Sequence, residues 1–394
     1  MNTKQYIELE DKFGANNYKP LDVVINKAKG VWVEDVDGNK YMDCLAAYSA
    51  VNQGHCHPHI LNAFIDQAEK VTLTSRAFRN NKLPSLYEKL NKMTGYEMFL
   101  PMNSGAEAVE SAIKAARKWG YNKGIAKDKA EIICMENNFH GRTIAVVGAS
   151  TEVQYKDGFG PFAPGFPIAK FGDIESVKSL INENTAAIML EPIQGEAGII
   201  IPPTGYLKEV EKLCLENKIL FICDEIQAGL GRSGKLFAFD YEEVKPDMVI
   251  IGKALSGGFY PVSAVLSSSE ILGVFNPGDH GSTFGGNPLA ASVALAALEV
   301  IEDENLVEKS AELGQYFMSK LKSLNSSVIS EVRGKGLWIG VELNTSARPF
   351  CEELMKLGIL CKETHDNVIR IAPPLVVTKS EIDWAMERIG EVLK

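Results

Sequence analysis

The chain has 394 residues, enough for about two to three ordinary domains, and at 45% hydrophobic and 23% charged it has a folded protein's composition, not a disordered one's. Lys plus Arg at 41 against Asp plus Glu at 51 gives a formal charge of -10, which disfavours a nucleic-acid binder but leaves room for local sites that take small anions. Seven scattered cysteines form neither a disulfide framework nor a C-x-x-C zinc pair. No apolar run approaches the about 18 residues of a membrane span, so a cytoplasmic, reducing location is expected.

In chain order, VINKAKGVWVEDVDGNKYMDC alternates apolar and polar residues around Asp37-Gly38, which predicts a hairpin with Glu34, Asp35 and Asp37 at its solvated end. His55, His57 and His59 alternate in a way that could suggest a metal, but with Cys56 and Pro58 between them they read as a turn leading into a helix. LPSLYEKLNKM predicts a helix, YEMFLPM a strand, and Ala106 to Trp119 a strongly amphipathic helix. Then EIICME, AAIMLEP, ILFICDE and MVIIGKA follow as short apolar runs separated by helical or loop segments. Strands buried on both faces require such runs, so residues 51–295 are expected to form a mostly parallel sheet covered by helices, an α/β fold. An Ala-rich helix from Pro288 to Val300 leads out of it. Residues 296–394 read as a smaller α+β unit: a hairpin in SVISEVRGKGLWIGVEL, a helix near Phe350 to Leu357, the strand VIRIAPPL and a last helix from Lys379 to Leu393. Residues 1–50 lack the parallel pattern and are expected to join that smaller unit.

Ligands of open parallel sheets sit beyond the carboxyl ends of the strands. Three runs end in reactive groups there: Glu191 with Glu196 five positions on, Asp224 with Glu225, and Lys253. Taken singly, each is ordinarily a strand's exit to solvent. Asn103, Ser104 and Gly105 add an anion cradle at the start of the Ala106 helix, where free N–H groups face outward. An acid, a lysine and a phosphate cradle together are what pyridoxal phosphate needs: the lysine holds its aldehyde, the acid keeps its ring nitrogen protonated, and the cradle takes its phosphate. The segment Gly229-Leu230-Gly231-Arg232-Ser233-Gly234 matches G-x-G-x-x-G, but four residues separate it from the strand and no good helix follows, so a dinucleotide site is not expected.

The stretch DEIQAGLGRSGKLFAFDYEEVKPDMVIIGKALSGG, with NSGAEAVESAIKAARKW, NNFHGRT, EPIQGEAG and GSTFGGNPLA, resembles the class III pyridoxal-phosphate aminotransferases along nearly the whole chain. NNYKPLDVVI and YSAVNQGHCHPHI are similar to the members of that class that act on ornithine. The resemblance implies a transferase of fold type I and a homodimer with shared active sites. Lys253 would carry the cofactor, Asp224 would face its ring nitrogen, Gln227 its 3-hydroxyl, and Phe139 would stack on the ring. Ser104, Gly105 and Ala106 would receive the phosphate, with Thr283 supplied by the neighbouring subunit. Tyr18 and Arg142 would grip the α-end of ornithine, with Tyr48 lining the pocket. Arg370 would bind the α-carboxylate of glutamate or 2-oxoglutarate, and Glu196 would pair with it while ornithine is bound. A class III transaminase for acetylornithine or 4-aminobutyrate would share Lys253, Asp224 and Glu196; a pyridoxal-phosphate lyase or aminomutase would share the cofactor frame.

Overall fold

An apolar run without polar alternation is stable as a strand only if both of its faces are covered. The structure, a computed structural model that describes residues 1–394, covers them. Three strands come first: β1 (Ile25–Lys29), β2 (Trp32–Asp35) and β3 (Lys40–Asp43). Seven more follow: β4 (Met98–Met102), β5 (Glu131–Met135), β6 (Ile168–Ala169), β7 (Thr185–Leu190), β8 (Leu220–Asp224), β9 (Met248–Ile251) and β10 (Ser263–Ser267). These seven form the central sheet in the order β4-β10-β9-β8-β7-β5-β6, parallel from β9 to β6, with β10 antiparallel to both β9 and β4. Alternate side chains point to opposite faces. Accordingly, Ile133, Ile188, Phe221 and Val249 enter one core, while Ile132, Ala187, Ile222 and Ile250 enter a second. Helix Gly105–Asn122 covers the second core, and helix Pro288–Asp303 belongs to the first. The fold is therefore α/β with a mostly parallel central sheet, as in fold type I transferases.

The remaining strands are β11 (Ile329–Lys335), β12 (Trp338–Leu343), β13 (Ile359–Leu360), β14 (Lys362–Thr364) and β15 (Val368–Ile371). Four of them make an antiparallel sheet in the order β11-β12-β15-β14, whereas β13 lies parallel to β3 and completes the sheet of β1, β2 and β3. Helix Lys379–Leu393 opens on a capping box between Thr378 and Glu381. Sequence periodicity missed the first element, helix Thr3–Phe13, which is capped by Asn2 and Gln5 and buries no residue.

Two motifs have structural uses. In the glycine-rich segment, Arg232 is buried and donates to Asn52 Oδ1 and to the carbonyls of Leu337 and Pro373, which ties three distant parts of the chain together. Asp35 departs from expectation, because it is buried rather than solvated. Its carboxylate accepts hydrogen bonds from the N–H groups of Asp37 and Asn39 and from the Tyr41 hydroxyl, so it organises the hairpin turn. His55, His57 and His59 pair with Asp43, Glu304 and Glu299 respectively, each at 2.7–2.8 Å. No helix is long and apolar enough to cross a membrane.

Candidate active site

Strand order places the three reactive run-ends side by side. Leu190, just before Glu191, is opposite Cys223; Asp224 is opposite Ile250, three residues before Lys253. Glu191, Asp224 and Lys253 line one cavity together with Gly105, Ala106 and Phe139. Lys253 takes a left-handed φ of 42° at the first residue of a short 3-10 turn, a conformation that costs a non-glycine residue about 1 kcal/mol or more. Burial lowers its amine pKa to about 8 against the opposing pull of Glu196, so the neutral amine is within easy reach near neutral pH.

Asp224 Oδ2 lies 2.7 Å from His140 Nδ1, and its Oδ1 accepts the Ile226 N–H. Burial works against a charged imidazole, yet the hydrogen bond and charge of Asp224 raise the His140 pKa above its usual value. Sequence reasoning missed His140, although it adjoins Phe139 within NNFHGRT; nothing in a linear motif tells which acid an imidazole will meet. In the sequence Glu191 reads only as a strand end. Burial raises its pKa to about 7, and its carboxylate accepts the N–H groups of Phe139 at 2.8 Å and Gly195 at 3.3 Å.

At the head of helix Gly105–Asn122, the Ser104 hydroxyl is already the N-cap. It accepts from the Glu107 N–H, while Glu107 accepts from the N–H groups of Ser104 and Asn103. That leaves the N–H groups of Gly105 and Ala106 without partners in the chain, at the positive end of the helix dipole. Gly141 sits at φ 126°, and a Cβ there would meet Ala106 Cβ at 2.9 Å, so only glycine lets the Phe139 loop approach the cradle this closely.

On the substrate side, Arg370 and Glu196 form a two-pronged ion pair, Nη1 to Oε1 at 2.9 Å and Nη2 to Oε2 at 3.1 Å. The Arg370 side chain is 2% exposed and that of Glu196 22%, so the acid is the accessible member. Burial works to raise the Glu196 pKa, but Arg370, Lys253 and Gln227 outweigh it and hold the carboxyl at about 2. Gln227 Nε2 donates to Glu196 Oε1 at 3.0 Å. Tyr48 lies under the Arg370 guanidinium, 5.2 Å from its ring centroid, within a left-handed turn running from Ala46 to Ser49. Four consecutive non-glycine residues at positive φ are strained by about 1–2 kcal/mol each, and the turn is held by Asp43, which accepts the N–H groups of Leu45 and Ala46.

Arg142 is exposed and lies over the Tyr155 ring at 3.6 Å, with the Phe139 ring at 5.5 Å; Tyr155 is another residue that motif reading missed. Tyr18 is 79% exposed, and its segment is anchored by Arg348, which donates to the carbonyls of Lys19 and Pro20. Thr283 is exposed too and does not line the cavity of its own chain, although neighbouring Ser282 accepts from Asn103 beside the cradle.

Glu225 faces away from the cavity. Its Oε1 accepts the Phe239 N–H at 3.0 Å, and burial raises its pKa to about 8. A carboxyl with a higher pKa in the folded chain contributes stability that is complete below its ordinary value of about 4.5 and is lost as pH rises through about 8. Glu225→Gln should therefore gain thermal stability relative to wild type between about pH 5 and about pH 9. Calorimetry of the cofactor-loaded protein at both pH values checks this; a difference that does not change with pH contradicts it.

The profile of the aminotransferase class-III family matches residues 13–393, and the chain belongs to that family. An ornithine aminotransferase of Geobacillus sp. (strain WCH70) is 62% identical over 391 residues, covering 99% of this chain and 98% of the relative. Among solved structures, the ornithine aminotransferase of Toxoplasma gondii superposes with a TM-score of 0.98 at 42% identity, covering 100% of this chain and 94% of that one. The acetylornithine aminotransferase of Elizabethkingia anophelis superposes with a TM-score of 0.91 at 47% identity, covering 100% and 99%. Class III aminotransferases work with pyridoxal phosphate, and the cavity fits that group. It offers a lysine whose amine loses its proton readily, a buried acid fixed by an imidazole, and two unpartnered N–H groups at a helix start.

Proposed function

We propose that the chain transfers the δ-amino group of L-ornithine to 2-oxoglutarate, giving L-glutamate 5-semialdehyde, which cyclises to pyrroline 5-carboxylate, and L-glutamate. The observation that carries this reading is the two-pronged Glu196–Arg370 pair, joined through Gln227 to the cavity that holds Lys253, with an arginine that pairs with no acid, Arg142, over the Phe139 ring of the same cavity. A site that takes an ω-amine in one half-reaction and an α-amine in the other must hide one carboxylate receptor part of the time.

Pyridoxal phosphate supplies the aldehyde that takes up the amine and the ring that accepts the electron pair. Lys253 would hold it, Asp224 would keep its ring nitrogen protonated with His140 behind, and Gln227 would meet its 3-hydroxyl. Phe139 would lie against the ring, and Ser104, Gly105 and Ala106 would take the phosphate. Arg142 would bind the α-carboxylate of ornithine and Tyr18 its α-amine, with Tyr48 lining the pocket, which leaves the δ-amine toward Lys253. The Lys253 amine, neutral in part near pH 8, would take the proton from the δ-carbon. In the return half, 2-oxoglutarate would bring a second carboxylate, displace Glu196 and claim Arg370.

The preference for ornithine over acetylornithine or 4-aminobutyrate is supported by Tyr18 and Tyr48 and by the identity to ornithine aminotransferases over the full length. The seven free cysteines, six of them buried, accord with a reducing cytoplasm. A panel of amino donors with 2-oxoglutarate as acceptor tests the reading. Ornithine should surpass acetylornithine and 4-aminobutyrate in kcat/KM; the reverse order would assign the chain to another branch of the class.

The same reading makes the protein a homodimer in which Thr283 of one protomer reaches the other's phosphate site. Thr283→Ala should then weaken cofactor retention. Mixing Lys253→Ala chains with Thr283→Ala chains should restore activity, because half of the sites in each mixed dimer carry neither defect. A fully active monomer would overturn this.

A further inference from the structure

The loop that carries Glu196 is anchored from two directions. On one side, Glu191 accepts the Gly195 N–H, Gln194 Nε2 donates to the Glu136 carbonyl at 2.7 Å, and Gln194 and Ile200 exchange paired N–H to carbonyl bonds. On the other side, Thr364 Oγ1 donates to the Glu196 carbonyl at 2.5 Å, and Arg333 Nε donates to the Gly198 carbonyl at 2.9 Å. There is no slack beneath: a Cβ on Gly195 would meet Gln227 Oε1 at 2.4 Å and Trp338 Cζ2 at 2.6 Å. A loop fixed in this way cannot swing out as a body. The acid can leave Arg370 only by rotating its side chain.

Among these anchors Thr364 has a special place. It lies on β14, opposite Val368 of β15, and Arg370 is two residues further along β15, opposite Lys362 of β14. The strand pair that carries the arginine thus also grips the carbonyl of the acid that masks it. A two-pronged carboxylate–guanidinium pair depends on alignment, because both hydrogen bonds weaken together when one partner shifts.

We propose that Thr364 is a specificity-determining positioning residue, whose hydroxyl fixes the Glu196 backbone in register with Arg370 so that the mask yields to a second carboxylate and not to ornithine. The inference rests on reading Glu196 as a displaceable mask. Its chemistry is that of a threshold: the better aligned the internal pair, the more a competing carboxylate must bring to replace it.

The test uses the cofactor-loaded enzyme with Thr364→Val and Thr364→Ala, which remove the hydroxyl, and Thr364→Ser, which keeps it. The first readout is the affinity for glutarate, an unreactive dicarboxylate, by calorimetry. The second is the ratio of α- to δ-transfer products from ornithine. Loss of one hydrogen bond to the carbonyl should tighten glutarate binding and raise that ratio by about three- to tenfold in the valine and alanine variants. Thr364→Ser should return both to wild-type values. A hydroxyl that serves stability alone would lower the melting temperature of the valine variant and move neither readout. Glu196→Ala separates the two ways of failing. If it shifts both readouts while Thr364→Val and Thr364→Ala do not, the mask stands and the role of Thr364 is refuted. If Glu196→Ala also shifts neither, the mask itself is wrong.

Discussion

Lys253→Ala should lower transamination by roughly four orders of magnitude while the protein still binds pyridoxal phosphate. The loss is large because one amine has two duties, holding the cofactor's aldehyde and moving the proton, and no second amine is among the residues lining the cavity. Retention follows because the other anchors are independent of the lysine: the free N–H groups of Gly105 and Ala106, and Asp224 braced by His140. Borohydride should fix the cofactor covalently to wild-type protein at Lys253 and leave the variant unlabelled, as peptide mass spectrometry can show. A variant that keeps more than a few per cent of wild-type turnover would remove Lys253 from the reaction.

The second large effect concerns the mask. Arg370→Ala should reduce kcat/KM for glutamate and 2-oxoglutarate by about two to three orders of magnitude, since two charge-assisted hydrogen bonds vanish. It should affect the ornithine half-reaction far less, because in this account ornithine is gripped by Arg142 and Tyr18. Glu196→Ala works in the opposite sense: the glutamate half-reaction should speed up relative to wild type, and ornithine should begin to donate its α-amine. Single-turnover absorbance of each half-reaction separates the two variants. Equal losses in both half-reactions for Arg370→Ala would make the pair a structural one.

The sequence made the central sheet legible because IICM, AAIML, LFIC and MVII are apolar without alternation, and only strands covered on both faces use such runs. Asp224 and Lys253 could be read for the same reason, being the first polar groups past those runs. The helix head at Gly105 was legible through the composition of the turn before it. The contacts that bridge separate segments were not. His140 meets Asp224 across 84 positions, Thr364 meets Glu196 across 168, and neither spacing has a local signature. The left-handed turn from Ala46 to Ser49 escaped as well, since two alanines, a tyrosine and a serine carry no preference for positive φ. Tyr18 and Thr283 are exposed and touch none of the other site residues, so resemblance nominates them where the geometry of one chain does not.

The ion pair and the left-handed turn share a physical logic. Both hold a functional group in an arrangement that its local chemistry opposes, and both are maintained by hydrogen bonds to a charged side chain. Tyr48 is set under Arg370 by a strained turn pinned through Asp43, and Glu196 is kept ionised against burial by Arg370 and Gln227. Strain of this kind is tolerated where selectivity depends on exact placement.

The most direct measurement is the identity of the carbonyl compound formed from ornithine in a single turnover of the cofactor-loaded enzyme. The sample is quenched and trapped with a carbonyl reagent, and mass spectrometry of the adduct locates the carbon that lost its amine. The expected product is glutamate 5-semialdehyde, with the δ-carbon oxidised and the α-amine intact. A product oxidised at the α-carbon, 2-oxo-5-aminopentanoate, as the main species would contradict it.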